Sequence, residues 1–519
     1  MAFVLIGFMG AGKSSAAAEL AGAIGTSALD SDALLAERFG QPVAREFELR
    51  GEAAFRAAEE ELVCELLARA GEEGVVSLGG GSVLSERVRA ALQGHVTVLL
   101  DVDPELAWAR LQGSPHGVQE RPLARERDSF VALGERRRPL YEQLADAFVP
   151  ALAPGSMPRL LSSLRALALA PQGTRLLWAA AASGEYPVLI GAGLLEHAQR
   201  RGLWSTWPLA RSRSRAHCVT DETVGGLYAS RLGELASTVS IPPGERHKTL
   251  AQAERVWREL IAAGATRADH LVALGGGVVG DLAGFCAATY QRGVPVVHVP
   301  TTLVAQVDSA YGGKTGVDMP EAKNYIGAYH QPAAVLVDAD TLATLPAAEL
   351  AAGWVEVLKT ALIAGGRLWQ RVAAGERVDG EMILACARTK LAVVAADERD
   401  GGRRQVLNLG HTVGHAIETA TGYERYRHGE AVGVGLLAAL ELSGQAALRE
   451  HVRSLLQAHG LPVSFQGASV EAVLAALGKD KKRLGARVPF VLVRAPGEVD
   501  FGCEVDGEEL RAAVGELAA

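Results

Sequence analysis

The chain opens on a phosphate-binding loop. Gly7-Phe8-Met9-Gly10-Ala11-Gly12-Lys13-Ser14 fits G-x-x-x-x-G-K-[ST] in full, with an apolar run, Phe3–Ile6, before it and an Ala-rich helical stretch, Lys13–Ile24, after it. That context dictates a buried strand feeding a helix through a turn whose glycines point backbone N–H groups inward, at the positive end of the helix dipole. A nucleoside triphosphate is the ligand such a turn suits. Lys13 would reach the β and γ phosphates and Ser14 would hold Mg2+, while Gly10, Ala11, Gly12 and Ser15 line the cradle.

One such module does not use 519 residues; that length predicts about three domains. Apolar residues make up 49% and charged residues 22%, a globular composition. The net charge of −8 leaves no global cationic footprint, so nucleic acid is not an expected partner and small anions must be met by local basic residues. Cys64, Cys218, Cys286, Cys386 and Cys503 are scattered, without a CxxC pair, and read as free thiols of a reducing compartment. The apolar start runs straight into the loop, with no basic region and no cleavage site, and reads as a strand rather than a signal peptide. No run of about 18 apolar residues predicts a membrane span. Cytoplasmic localisation, with no membrane partner, is the expectation.

Two α/β rhythms follow one another. In the first, Phe3–Ile6, residues 75–78 and Val96–Asp101 predict strands of a parallel sheet. It fades in the Pro- and Gly-punctuated stretch 151–172, which places a boundary between about 155 and 175. The second rhythm has strands predicted at 187–190, 217–219, 239–241, 271–274 and 296–299. From about Leu345, Ala/Leu-rich segments at helical period take over until a strand signal at 488–493. The expected division is a P-loop domain over 1–168, a linker over 169–176, a Rossmann-like α/β domain over 177–340 and an all-α domain over 341–519.

In the first domain, Asp30 and Asp32 sit two apart beyond a strand. Arg56 follows in Gly51–Glu59, then Gly79-Gly80-Gly81, Arg121-Pro122-Leu123 and Arg137-Arg138-Pro139-Leu140-Tyr141. With the phosphate loop, this set resembles shikimate kinase over nearly the whole domain. The resemblance implies Mg2+ near Asp30, with Asp32 taking the substrate hydroxyls and acting as base. Arg56 and Arg137 would clamp a planar carboxylate, the Gly79–Gly81 turn would lie against substrate, Arg121 would act from a lid, and Arg110 would flank the adenine. Singly, Arg137 could be a solvated helix face and the two aspartates helix caps.

The second half carries Gly275-Gly276-Gly277-Val278-Val279-Gly280-Asp281 between a strand and a helical run, which says only that backbone approaches something, most simply a phosphate. Asp221 follows another strand, where a carboxylate can bind ribose hydroxyls; Thr301 and Thr302 end a third. Glu245, Lys248, Gly277, Val278, Asp281, Lys314 and Lys323 complete the dinucleotide candidates. Asp308, Lys314, Lys323 and Asn324 lie in a Gly-rich stretch suited to an anionic polyol. Further on, Glu356 and Lys359 share a helical segment, His411 and His415 stand at i and i+4, and His428 follows. Spacing alone favours His411 with His415 as a metal pair on one helix face; a carboxylate with imidazoles suits a divalent Lewis acid.

From about residue 175 to the end, this order of motifs resembles 3-dehydroquinate synthase. The resemblance implies Glu356, His411 and His428 as ligands of Zn2+ or Co2+, with His415 beside the substrate. It implies substrate contacts from Asp308, Lys314, Lys323, Asn324, Lys359, Lys390, Arg404, Asn408 and Lys481, and from Arg292 across a homodimer. Lys314, Asp400, Arg404, Asn408 and His415 carry the implied catalytic roles; Asp400 stands where the family often has Glu. The implied reaction converts 3-deoxy-D-arabino-heptulosonate 7-phosphate to 3-dehydroquinate and phosphate, with NAD+ regenerated. The competing readings are a generic small-molecule kinase joined to another sugar-phosphate cyclase or a metal-dependent polyol dehydrogenase, or one half catalytically inactive.

Overall fold

The computed structural model describes residues 1–113, 126–201, 214–478 and 488–519. They form two compact units: Met1–Ala180 with Glu185–Gly191, and Ala181–Gly184, Ala192–Arg200 and the described part of Arg211–Ala519.

In the first unit β1 (Phe3–Ile6), β2 (Ala28–Asp30), β3 (Val75–Ser77), β4 (Val96–Asp101) and β5 (Ala147–Pro150) pair in parallel in the order β2-β3-β1-β4-β5. All four residues of β1 are buried, as a strand covered on both faces requires. The crossovers hold α1 (Lys13–Ile24), α2 (Ser31–Phe39), α3 (Val43–Arg69), α4 (Glu86–Leu92), α5 (Pro104–Gln112), α6 (Arg127–Leu144) and α7 (Leu161–Leu169). α3 is broken at Gly51 (φ 79°, ψ 167°), a backbone conformation open to glycine.

The first unit runs past the expected boundary. β6 (Arg175–Ala181) pairs in parallel with β5 through Ala147↔Leu176 and Phe148↔Leu177, and β7 (Gly184–Gly191) follows. Residues 187–190, expected as a strand, form part of β7. β6 covers what would otherwise be a bare edge of β5, which is a physical reason for the hairpin to sit there.

In the second unit the strands are β8 (Ala216–Asp221), β9 (Ser237–Ile241), β10 (His270–Gly275), β11 (Val296–Pro300), β12 (Lys314–Met319), β13 (Ala322–Tyr329) and β14 (Ala334–Asp338). β14-β11-β10-β8-β9 is parallel throughout. The chain builds outward from β8 to β9, then crosses to the other side of β8 to place β10. A crevice at the carboxyl ends of β8 and β10 is where such a reversal puts a ligand. α8 (Leu194–Arg201), α9 (Glu222–Tyr228), α10 (Leu250–Ala262) and α11 (Gly277–Thr289) belong to this layer; Val256, Leu260, Leu271, Leu282 and Val296 are among its core residues.

β12 and β13 form an antiparallel hairpin where the sequence reading had a Gly-rich loop. Gly316 faces Gly327 across it, and these glycines hide the strand pattern.

Beyond Pro346 the chain is helical: α12 (Ala347–Ala364), α13 (Gly366–Ala373), α14 (Gly380–Ala396), α15 (His411–Ala420), α16 (His428–Leu442), α17 (Ala446–Ala458), α18 (Val470–Leu477) and α19 (Gly507–Gly515). One antiparallel hairpin, β15 (Phe490–Ala495) with β16 (Glu498–Cys503), interrupts it. α16 lies against both α12 and α15 because of two glycines. A Cβ at Gly429 would sit 1.9 Å from the Ala352 carbonyl, and one at Gly435 2.0 Å from the Gly410 carbonyl. This packing brings the first residues of α15 and α16 together. Among the described residues no helix is long and apolar enough to cross a membrane, and the five cysteines are free.

Candidate functional site

The loop after β1 is shaped by Gly7, Gly10 and Gly12 (φ 143°, 79° and 92°). Lys13, 9% exposed, folds back to donate to the Phe8 carbonyl at 3.1 Å, and Arg110 donates to the Ala11 carbonyl at 3.3 Å. Asp30 ends β2 and caps α2: its Oδ1 accepts from the backbone of Asp32 (3.0 Å) and Ala33 (3.1 Å). The cap expected as the plain alternative is therefore real, but it uses one oxygen. Oδ2 is buried with no hydrogen-bond partner, which is what a carboxylate set beside a cation looks like. Ser14 is exposed at the start of α1.

Across this face Gly79–Gly81 meets two arginines. A Cβ at Gly81 would lie 2.0 Å from Arg56 Nη1, and one at Gly79 2.6 Å from Asp32 Oδ1, so the turn closes on both side chains. Arg137 Nη1 donates to the Gly80 carbonyl at 3.4 Å, and the Tyr141 hydroxyl donates to the same oxygen at 2.5 Å. Burial pushes the Tyr141 phenol up to about 12, so it stays a donor. Arg56 is held by Glu59 at 2.6 Å, whose other oxygen accepts from Ser82 at 2.8 Å. Arg121 lies outside the described residues.

In the second unit Gly275–Gly277 and Asp221 stand at the carboxyl ends of β10 and β8. Asp221 Oδ1 caps α9 by accepting from Thr223 (2.9 Å) and Val224 (2.8 Å). A Cβ at Gly276 would lie 2.8 Å from Thr302, and Thr301 Oγ1 is buried without a partner. Lys248, 3% exposed, gathers Glu245 (2.7 Å), Asp281 (3.3 Å), Asp318 (3.6 Å) and the Asn324 amide oxygen (2.7 Å). Burial opposes its charge, but Asp281, Glu245 and Asp318 raise its pKa. Burial in turn lifts Asp281 to about 6.

A second charge cluster is built from α12, α14 and the π-helical turn Ala305–Ser309. Lys359 bridges Asp308 (3.0 Å) and Glu356 (2.5 Å), while Lys390 grips Asp308 and donates to its carbonyl at 2.7 Å. Burial opposes ionisation of Asp308, yet Lys359 and Lys390 hold it well below the usual carboxylate range. Burial favours the neutral form of Lys390 and lowers its pKa. Lys314 pairs with Asp400 at 2.5 Å; Asp400 is left-handed (φ 63°) and keeps a buried Oδ1 with no partner.

Next to it lie the imidazoles. His411, His415 and His428 each offer a ring nitrogen, all within 4.8 Å of one another. Glu356 Oε1 faces His411 Nε2 at 3.7 Å and His428 Nε2 at 3.5 Å, and it is buried without a hydrogen bond. Ligand atoms ~2.0–2.1 Å from a tetrahedral ion sit about 3.4 Å apart, so this donor set fits a divalent metal. The far nitrogens are committed: His411 Nδ1 lies 3.2 Å from the Leu409 carbonyl and His428 Nδ1 3.3 Å from Glu418 Oε2. That turns both Nε2 atoms toward the pocket. Desolvation works against a charge on His428, but Glu356 and Glu418 hold its pKa up to about 10, so its Nε2 lone pair becomes available as an ion displaces the proton.

The structure thus brings Glu356, His411, His415, His428, Lys359, Lys390 and Asp308 into one neighbourhood, and Glu245, Lys248, Asp281 and Asn324 into another. Lys323 reaches Glu418 at 3.5 Å. Arg404, 2% exposed, donates to the carbonyls of Gly312 (3.0 Å) and Glu398 and keeps Nε buried without a hydrogen-bond partner. Asn408 ends the turn that leads into α15, and Arg292 is exposed. Lys481 lies outside the described residues. Sequence reasoning assigned no role to Glu418, Asp318, Glu59 or Tyr141. Glu418 could have been found, since it stands at i+7 from His411 on the same helix face.

Family models match along the chain: shikimate kinase over residues 9–154, 3-dehydroquinate synthase N-terminal over 238–352, and 3-dehydroquinate synthase C-terminal over 353–483. The 3-dehydroquinate synthase of Caulobacter vibrioides is 42% identical over 360 residues, which cover 64% of this chain and 96% of that protein. That of Halorhodospira halophila is 44% identical over 340 residues, covering 62% and 94%. Among solved structures, a 2-deoxy-scyllo-inosose synthase complexed with carbaglucose-6-phosphate, NAD+ and Co2+ is similar at TM-score 0.58 and 25% identity, over 66% of this chain and 99% of that one. The 2-epi-5-epi-valiolone synthase of Streptomyces hygroscopicus with NAD+ and Zn2+ matches at TM-score 0.58 and 26% identity, over 64% and 96%.

Proposed function

Over its C-terminal two thirds this chain belongs to the 3-dehydroquinate synthase family, behind a shikimate kinase domain, and from that premise we propose how its residues run both reactions. The chain is a bifunctional enzyme of the shikimate pathway. It phosphorylates shikimate at the expense of ATP and converts 3-deoxy-D-arabino-heptulosonate 7-phosphate to 3-dehydroquinate and phosphate. The functional division is 1–168 for the kinase and 177–340 with 341–519 for the synthase.

In the kinase, ATP with Mg2+ supplies the phosphoryl group and the charge that shields it. Lys13, now on the Phe8 carbonyl, would serve the triphosphate, and Ser14 with the unpartnered Oδ2 of Asp30 would hold the cation. Arg56 and Arg137, set against Gly80 and Gly81, hold the shikimate carboxylate. Asp32 then accepts the proton of the attacking hydroxyl, Arg110 packs on the adenine, and Arg121 acts from the lid.

In the synthase, NAD+ supplies a reversible hydride acceptor, and Zn2+ or Co2+ supplies Lewis acidity at the reacting hydroxyl. The residues that would hold the dinucleotide, at the crevice beyond β8 and β10, are Gly277, Val278, Thr301 and Thr302 with Asp221, Glu245, Lys248, Asp281, Lys314 and Lys323. Glu356, His411 and His428 would hold the ion. Lys359, paired with Asp308 and Glu356, and Lys390, paired with Asp308, would meet the substrate acid, with Lys314, Lys323, Asn324, Arg404, Asn408 and Lys481 completing its shell. His415 is the imidazole left to shuttle a proton beside the substrate, and Asp400 orients Lys314. The bare Glu356 oxygen facing two Nε2 atoms carries this reading.

A homodimer through the synthase half, with the exposed Arg292 reaching a second copy's pocket, belongs to this reading; Gln291 (φ 50°) and Arg292 (φ 67°) are consecutive left-handed residues. A reducing cytoplasm fits the five free thiols. The test is turnover: phosphate must be released from the heptulosonate phosphate with no net NADH. Net NADH would mean a polyol dehydrogenase, and phosphate release from another sugar phosphate alone would mean a different cyclase.

A further inference from the structure

Glu418 is a buried carboxylate beside the imidazoles with no part in the scheme above. Its side chain is 4% exposed, and it shares the face of α15 that carries His411 and His415. Its two oxygens serve two elements. Oε2 takes His428 Nδ1 at 3.3 Å, at the head of α16; Oε1 takes Lys323 Nζ at 3.5 Å, from β13. Lys323 is steadied on its other side by the Tyr423 ring at 4.4 Å, and the Tyr423 hydroxyl meets Thr419 Oγ1 at 2.8 Å.

We propose that Glu418 is a positioning residue that aims His428 Nε2 at the metal and, through Lys323, couples loading of the metal to binding of the anionic dinucleotide. This rests on the synthase reading of the site. A carboxylate on Nδ1 keeps the proton there and leaves the Nε2 lone pair for the ion. An ion on Nε2 draws electron density from the ring and makes Nδ1–H a stronger donor. Glu418 then spends more of its charge on His428 and less on Lys323. The lysine is freer to meet an anion, so metal and NAD+ favour one another, and the coupling is reciprocal.

The experiment uses the full chain stripped of metal, titrated with Co2+ against a competing chelator and followed by visible absorption. Glu418→Ala is expected to weaken Co2+ by ~10–100-fold, with Glu418→Gln, which keeps an acceptor, in between. The spectrum of the fully loaded variants is expected to differ from that of the unmodified protein. Co2+ should tighten NAD+ binding about fivefold in the unmodified protein and leave it unchanged in Glu418→Ala. Equal NAD+ affinity of the metal-free proteins shows that the variant is folded; if Glu418→Ala does not fold, Glu418→Gln carries the same comparison. Unchanged Co2+ affinity and spectrum, or coupling that survives in the variants, overturns the proposal and spares the synthase reading. If His411→Ala binds Co2+ as tightly as the unmodified protein, the metal reading falls and this proposal with it.

Discussion

At the scale of single residues, each reaction hangs on charges held in a dry environment. Lys13→Ala removes the cation from the phosphate loop and is expected to cost the kinase on the order of 10²–10³ in kcat, with heptulosonate turnover unchanged. His411→Ala removes one of the nitrogens facing Glu356 and should abolish the synthase while shikimate phosphorylation stays normal. Steady-state assays of both activities on both variants check this; loss of both activities in a folded variant contradicts it. Most residue types with chemistry were legible because they stand in dense motifs. The unread ones, Glu418, Asp318 and Glu59, act on other side chains rather than on ligand. For two of them the signal is a partner distant in sequence: 95 residues separate Glu418 from Lys323, and 70 separate Asp318 from Lys248. Arg404 adds a contact that motif order leaves unread: it donates to two backbone carbonyls, which no pattern of residue types reveals.

At the scale of elements, the metal cluster exists because α16 can lie against α15. Gly435→Ala would drive a methyl into the Gly410 carbonyl, so the helices must part. The expected cost is roughly 1–3 kcal/mol of stability, read by urea unfolding, together with weakened metal binding. A second test concerns the second sheet. Burial lowers His298 on β11 and His270 on β10 to about 4 each. Above the unfolded value of 6.5 both are neutral in either state and cost nothing. As pH falls from about 6.5 toward 4, the unfolded chain takes protons that the fold refuses, and stability drops by up to roughly 3 kcal/mol for each. Unfolding midpoints at pH 7 and 5 should differ accordingly, and His298→Gln should flatten the difference; an equal slope in that variant would contradict the assignment. Long parallel strands and Ala/Leu-rich helices were legible from periodicity alone. β12 and β13 were not, because facing glycines erase the alternation that marks a strand. A strand was expected at β7 but not at β6, whose pairing with β5 is set by which edge lies bare.

At the scale of the molecule, the chain joins two self-sufficient chemistries rather than one divided site. Each has its own glycine-shaped approach to phosphate, its own cation and its own set of basic residues, and each is built within one unit. Both families were legible from motif order; how far each unit extends was not, since the first ends in strand pairing rather than in composition. The reactions are not consecutive in the pathway, so joining them requires no passage of product between sites. The direct measurement is a paired assay on one preparation of the full chain, treated with a zinc-selective chelator in excess Mg2+. The account predicts that heptulosonate turnover is lost and returns with Zn2+ or Co2+, while shikimate phosphorylation stays constant throughout. Synthase activity that survives complete removal of the metal, or a kinase that falls with it, would contradict it.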